Sequence, residues 1–343
     1  MKGAVLLALA AFAAPLPASA EQQLPKPLFA SDAPLGIAIE GPINAIARDR
    51  SRQAGHQAVL SLGSERYQVT LTPRGITRRA KDICAFPPLR LEFTTPPPAG
   101  SVFFGQRRLK LVTHCRARED HQQHVLLEYA AYRLLNLLTP LSFRARLLAI
   151  DYRESGRGSG LRRAGFLIED LDDVARRNGL TRTIAGDVIP RARLEPKQAA
   201  RTALFQYMIG NLDWGMRAGP EGEGCCHNFR LLSRPGSSAA IPIPYDFDFS
   251  GLVDAPYATP PDLIPVASVR VRRYRGYCQH NAEALAASRE MRDRQGELLQ
   301  TLTTLPGLHP RTAAKAAAYL APFFRQIATD EKVQTEILKS CVR

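Results

Sequence analysis

Apolar and polar residues alternate with a period near two through most of the first half of the chain. On that basis strands are predicted at 37–46, 57–72, 89–94, 102–104, 108–113, 143–152 and 165–169, with Gly63-Ser64 folding 57–72 into a hairpin. The period changes at 121–138. There Val125, Leu126, Leu127, Ala130, Ala131, Leu134, Leu135 and Leu138 recur at helical spacing, and Thr139-Pro140 stops the helix. Past residue 172 the spacing is mostly helical, at 173–177 and 196–208 and then at 281–305, 310–328 and 330–339. Two strand-like runs, 229–232 and 239–245, interrupt it, and 263–274 is rich in Arg and β-branched residues. The pattern predicts an α+β chain in two lobes. Residues 21–172 make a β-rich N-terminal lobe with one main helix, and 173–343 a helical C-terminal lobe with an acidic hairpin.

Residues 1–20 stand apart from this pattern. One Lys, an apolar run from Ala4 to Ala14 and the small residues Ala18-Ser19-Ala20 have the layout of a secretory signal peptide. It predicts a periplasmic or secreted protein without stable membrane insertion. The six cysteines fit that expectation, because an even number in an exported chain suits disulfides. Cys84 with Cys115 is the favoured pair, leaving Cys225-Cys226 to tie their insert to Cys278 and Cys341. The formal charge of +14 is carried mainly by Arg, in clusters such as 48–52, 107–108 and 270–275. Guanidinium forks suit phosphates and carboxylates, so the expected partners are anionic: a nucleotide, a lipid headgroup or a cell-wall polymer. Tyr274 is the one aromatic residue within these basic clusters, too little for a nucleic-acid platform, and nucleic acid is not an expected partner. The sequence does not indicate an oligomeric state.

The densest chemistry lies between Phe205 and Ser250. Asp213 follows an apolar segment ending in Gly210-Asn211, and Asn228 opens a short apolar strand. Asp246 and Asp248 follow a second strand-like run, and a period of two would put both carboxylates on one face and Phe247 and Phe249 on the other. An acid, an Asn and a further acid pair are the groups phosphoryl transfer needs, one to orient the nucleophile and the others to hold Mg²⁺ or Mn²⁺ against phosphates. The alternative is a pair of solvated turn acids. Upstream, Glu128 sits in an apolar helical seam, where a carboxylate calls for a cation. Lys110, mid-strand just before that helix, is the expected partner, as in kinases that grip nucleotide phosphates. Residues 166–172 would then serve as a hinge closing an adenine slot. No Gly-x-Ser-x-Gly elbow and no His-Glu-x-x-His motif is present, so hydrolase chemistry fits less well.

In order, these pieces are Arg74-Gly75 with Thr77-Arg78, Leu109-Lys110, Leu127-Glu128-Tyr129, the segment 166–171, Asn211-Leu212-Asp213-Trp214, Asn228-Phe229 and Tyr245-Asp246-Phe247-Asp248. The set resembles the spore coat CotH kinase family, over about 67–250. The resemblance implies a two-lobed protein-kinase-like fold, MgATP binding and phosphoryl transfer to a protein or envelope substrate. It implies Asp213 as the catalytic or orienting acid, Lys110 on the ATP phosphates with Glu128 holding it, and Arg74 and Arg78 neutralising phosphate charge. Asn228 and Asp246 would coordinate Mg²⁺, with Asp248 a second acidic ligand. An AMP-transferring relative and a catalytically inactive envelope assembly protein are the alternatives.

Overall fold

The computed structural model describes residues 23–157, 160–183 and 186–343. The signal peptide expected at 1–20 lies outside them. Seven strands of the first half close into a barrel: β1 Leu35–Gly41, β2 His56–Leu62, β3 Glu65–Pro73, β4 Leu89–Phe93, β5 Arg108–Val112, β6 Ala145–Glu154 and β7 Gly160–Ile168. Their order is β1-β2-β3-β4-β5-β7-β6, and a parallel pairing of β1 with β6 completes the ring. The inward residues of each strand, among them Ile39, Leu60, Val69, Leu71, Leu91, Leu109, Leu111 and Ile150, fill the barrel, with Phe103 among them. Residues 102–104 form a turn rather than the expected strand. The Ser101 hydroxyl accepts the Phe103 N–H at 3.0 Å and diverts the backbone.

Helix α1 (Ile43–Arg48) follows β1 where Pro42 ends the strand, so 37–46 is a strand plus a helical turn. The long helix α2 (Glu119–Leu138) lies outside the barrel. Helix α3 (Leu171–Arg177) is capped by Asp170, whose carboxylate accepts the Asp172 N–H. Helix α4 (Pro196–Ile209) starts with Pro at its first position, is capped by Glu195, and stops at Gly210, whose φ of +65° suits glycine. The expected helix 281–305 is broken at Arg294 into α5 (Asn281–Asp293) and α6 (Gln295–Thr303). Helix α7 (Pro310–Gln326) follows. A second sheet, β8 (Thr181–Arg182), β9 (Phe229–Ser233) and β10 (Ile241–Pro244), has the order β10-β9-β8. Pro242 and Pro244 place β10 at its edge, where missing N–H groups cost nothing. Residues 263–274 form no strand.

The two-lobed kinase-like fold is not what forms. The strands close on themselves as a mixed barrel, an α+β arrangement distinct from a kinase. The expected hinge is also absent: Phe166, Leu167 and Ile168 are mid-sheet residues of β7, paired to β5 on one side and β6 on the other. Nor does the apolar core divide at residue 172. Helix α2 shares a continuous core with β9, β10 and helices α4 to α7. That shared core brings Glu128 and Tyr132 of α2 up to the hairpin acids.

Two of the cysteine pairs are conventional bridges. Cys84–Cys115 joins the barrel segments beside β4 and β5, and Cys278–Cys341 ties the start of α5 to the end of the chain, with Cα atoms 4.6 and 5.0 Å apart. Cys225 and Cys226 are bonded to each other, so the insert is not tied to Cys278 or Cys341. The bridges are compatible with an exported protein, and no described helix is long and apolar enough to cross a membrane.

Candidate functional site

Between the barrel and the second sheet lies a cleft of about 620 Å³. Arg74, Arg78, Lys110, Glu128, Asp213, Asn228, Asp246 and Asp248 all line it, although they come from the two halves of the chain. Local backbone explains how the later four arrive there. After Gly210 the chain turns tightly, and Asn211 Oδ1 accepts the Asp213 N–H at 3.0 Å. Residues 216–226 then loop out and return, because Gly215 and His227 exchange both backbone hydrogen bonds, at 2.9 and 3.0 Å. The insert therefore does not separate Asp213 from Asn228. Asn228 and Asp246 leave the β9–β10 hairpin in the left-handed region, at φ +53° and +65°, which short polar side chains tolerate best. Residues 246–250 are accordingly a turn, not the strand a period of two implied. Phe247 is fully buried against Tyr132, while Phe249 lines the cleft beside the acids.

Three carboxylates converge: single oxygens of Glu128, Asp246 and Asp248 all lie within 4.8 Å of one another. Oxygen ligands sit at most about 4.2 Å apart across Mg²⁺ and about 5 Å apart across Ca²⁺, twice the respective bond lengths. The cluster thus fits a hard divalent cation, with slight contraction for Mg²⁺. Glu128 and Asp248 are buried, at 1% and 6% exposure. Burial, reinforced by Asp246, pushes Asp248 up to about 7. Burial and then Asp248 hold Glu128 well above the usual carboxylate range, against the opposing pull of Arg78. Tyr257 donates to Asp248 Oδ2 at 2.9 Å, and Tyr132 Oη accepts the Asp246 N–H at 3.0 Å.

Glu128 is paired with Arg78, not with Lys110. The Arg78 guanidinium lies 3.4 Å from Glu128 Oε2 and also donates to the Thr113 carbonyl, which fixes it in the wall of the cleft. Burial alone would depress this guanidinium, but Tyr257, Glu128, Asp248 and Asp246 outweigh it and keep it charged. Arg78 is thereby committed to the protein. Lys110 lies over the Tyr245 ring instead, its Nζ 4.6 Å from the centroid. Burial, then Arg74 and Arg230, bring its ammonium down to about 8.

Asp213 and Asn228 form a second group. Asp213 Oδ1 is 2.6 Å from His227 Nε2, and Oδ2 accepts from Asn228 Nδ2 at 2.9 Å. Asn228 Nδ2 also reaches the Asp213 carbonyl, at 2.7 Å. The Asp213 hydrogen bond raises the His227 imidazole against the effect of burial. Glu128 is thus the third member of the carboxylate cluster, and Asn228 is engaged through its amide nitrogen with Asp213. Sequence reading missed His227, Arg230, Tyr245 and Tyr257 as site residues. The one signal was the adjacency of His227 to Asn228.

A scan against protein-family models and a search of curated proteins found no match to this chain.

Proposed function

We propose that the protein is a divalent-cation-dependent phosphotransferase, taking a phosphoryl group from ATP to a protein or envelope acceptor. The observation that carries this reading is the presence of two opposite charge clusters in one cleft, which is lined both by three converging carboxylates and by Arg74 and Lys110. That pairing suits a cation-bound polyphosphate such as a nucleoside triphosphate. Glu128, Asp246 and Asp248 would hold Mg²⁺ or Mn²⁺, which supplies charge neutralisation at the phosphate oxygens. Arg74 and Lys110 bind the phosphate chain. Asp213, with both oxygens anchored by His227 and Asn228, orients the acceptor hydroxyl and receives its proton. The order of these residues along the chain, which resembles that of the CotH kinases, adds support. The proposal needs no kinase fold.

Incubation with MgATP and candidate envelope acceptors, followed by intact-mass measurement, tests it. Addition of a phosphoryl group that disappears in Asp213→Asn is expected. Addition of an adenylyl group would indicate AMP transfer instead, and no modification with any acceptor would count against transfer.

One feature of the site favours a second reading, an inactive binding or assembly protein. The Arg78–Glu128 pair already offsets part of the acidic charge, so the cluster can persist without a metal. Under that reading ATP does not change the melting temperature with or without Mg²⁺.

A further inference from the structure

The cleft continues beyond Lys110 into an outer chamber of about 370 Å³. Its cations are Arg74, Arg90, Arg108, Lys110, Arg182 and Arg230, three of which also line the inner cleft. Strand register builds part of this arrangement. Arg90 of β4 stands directly opposite Lys110 of β5, which puts both side chains on one face of the barrel wall. Across the chamber, Arg230 reaches the same Tyr245 ring that Lys110 covers, at 5.1 and 4.6 Å. Two cations therefore share one aromatic ring.

Counter-charges are scarce. Arg90 faces Glu92 at 3.6 Å, and Arg182 pairs with Asp172 and, at 3.7 Å, with Asp170. Glu169 is taken by Arg177. Among the described residues Arg74, Arg108, Lys110 and Arg230 have no carboxylate within ion-pair distance. Like charges about 4 Å apart repel by roughly 1 kcal/mol in water and by roughly 4 kcal/mol near a protein surface. Burial first, and then Arg74 and Arg230, depress the Lys110 ammonium. A neutral nucleoside does nothing to relieve the repulsion, whereas a multiply charged anion does.

We propose that the outer chamber is an anion subsite for the acceptor, and that the acceptor carries a phosphate-bearing group. The anion subsite stands on the cations alone, while its assignment to the acceptor rests on the transfer reading above. In that reading Arg74 and Lys110, which border the acids, serve the donor triphosphate. Of the three cations that line only the outer chamber, Arg108 has no carboxylate partner and is left for the second substrate, with Arg90 and Arg182, each already paired, beside it.

Sodium tripolyphosphate is the probe, titrated calorimetrically into the full-length mature protein without metal. It should bind, and Arg90→Gln with Arg108→Gln should weaken it by about tenfold or more, with Mn²⁺ affinity unchanged. The single variant Arg108→Glu, at an exposed position, should weaken it similarly and guards against misfolding of the double variant. No binding, or equal binding to all three proteins, overturns the subsite. With Mn²⁺-ADP at saturation, tripolyphosphate should still bind. Its complete displacement would assign the chamber to the donor's phosphates and overturn the acceptor role. Binding of tripolyphosphate to a wild-type protein that takes up no Mn²⁺ supports the subsite while removing the transfer reading.

Discussion

Arg78 connects the barrel to the acid cluster through one guanidinium that is almost wholly buried. Removing it leaves Glu128 and Asp248 buried without their nearest cation, so Arg78→Met should destabilise the apo protein by roughly 3–5 kcal/mol. Urea unfolding would measure the loss, and added Mn²⁺ should restore part of it. A loss below about 1 kcal/mol would mean that Arg78 does not hold the cluster together. His114 gives a separate test by pH. It is buried, stacked on Phe86 at 4.9 Å, and burial followed by the Arg163 and Arg78 charges depresses it to about 3. Its folded pKa lies below the unfolded value, so the stability it contributes is present above about 6.5 and is lost as pH falls towards 3. His114→Phe, which keeps a stacking ring, should flatten that acid decline. An unchanged slope between pH 6 and 4 would contradict it, the window being roughly the one set by the two pKa values. At this scale the sequence disclosed the residue types but not their pairing. Lys110 and Arg78 are both basic, and both line the cleft that holds Glu128. Only the short turn at Thr77–Arg79, anchored on the Thr113 carbonyl, decides that Arg78 gets there.

The β9–β10 hairpin is the element that presents the hairpin acids, and it does so through two left-handed residues at its open end. The N–H of Tyr245, the residue before Asp246, donates to the Asn228 carbonyl at 3.0 Å and closes this end of the hairpin. Asp246→Gly keeps the left-handed conformation while deleting a carboxylate, so it should leave the urea midpoint nearly unchanged and abolish Mn²⁺ uptake. Asn228→Ala should instead cost roughly 1 kcal/mol or more, because Ala pays the left-handed penalty and Asp213 loses its donor. Equal stability loss in both variants would show that the conformation at these positions does not matter. Strands such as β1 and β2 were legible through alternating burial, and helix α2 through its length and apolar content, being buried on nearly every side from Val125 to Leu135. The turn at 246–250 was not, because alternation of Asp and Phe reads the same in a strand and in a turn that buries one ring. The short turn at 102–104 escaped for a similar reason, its apolar triplet being diverted by one serine hydroxyl.

For the whole molecule, closure of the barrel and sharing of one core by both halves were invisible in the pattern. Alternation locates strands, but it cannot say that residues 35–41 run parallel beside 148–154. The first three residues of the hinge expected at 166–172 are strand for the same reason, since a strand hydrogen-bonded on both edges looks no different in sequence from a linker with apolar residues. The bridge Cys278–Cys341 spans a separation of 63 residues and secures the last turn of chain to α5. Replacing both residues by Ser should cost roughly 2–4 kcal/mol and lower the melting temperature without altering Mn²⁺ affinity, because the bridge is remote from the acids. Loss of Mn²⁺ uptake in that variant would mean that the helical half does more than support the cleft.

The most direct measurement is the affinity for ATP with and without Mn²⁺, in wild type and in Asp246→Gly. Coupling through the carboxylate cluster predicts that Mn²⁺ tightens ATP binding by about tenfold or more in wild type and has no effect in the variant. ATP affinity that is the same in Mn²⁺ and in a chelator, or a Mn²⁺ effect that survives in Asp246→Gly, would contradict the account.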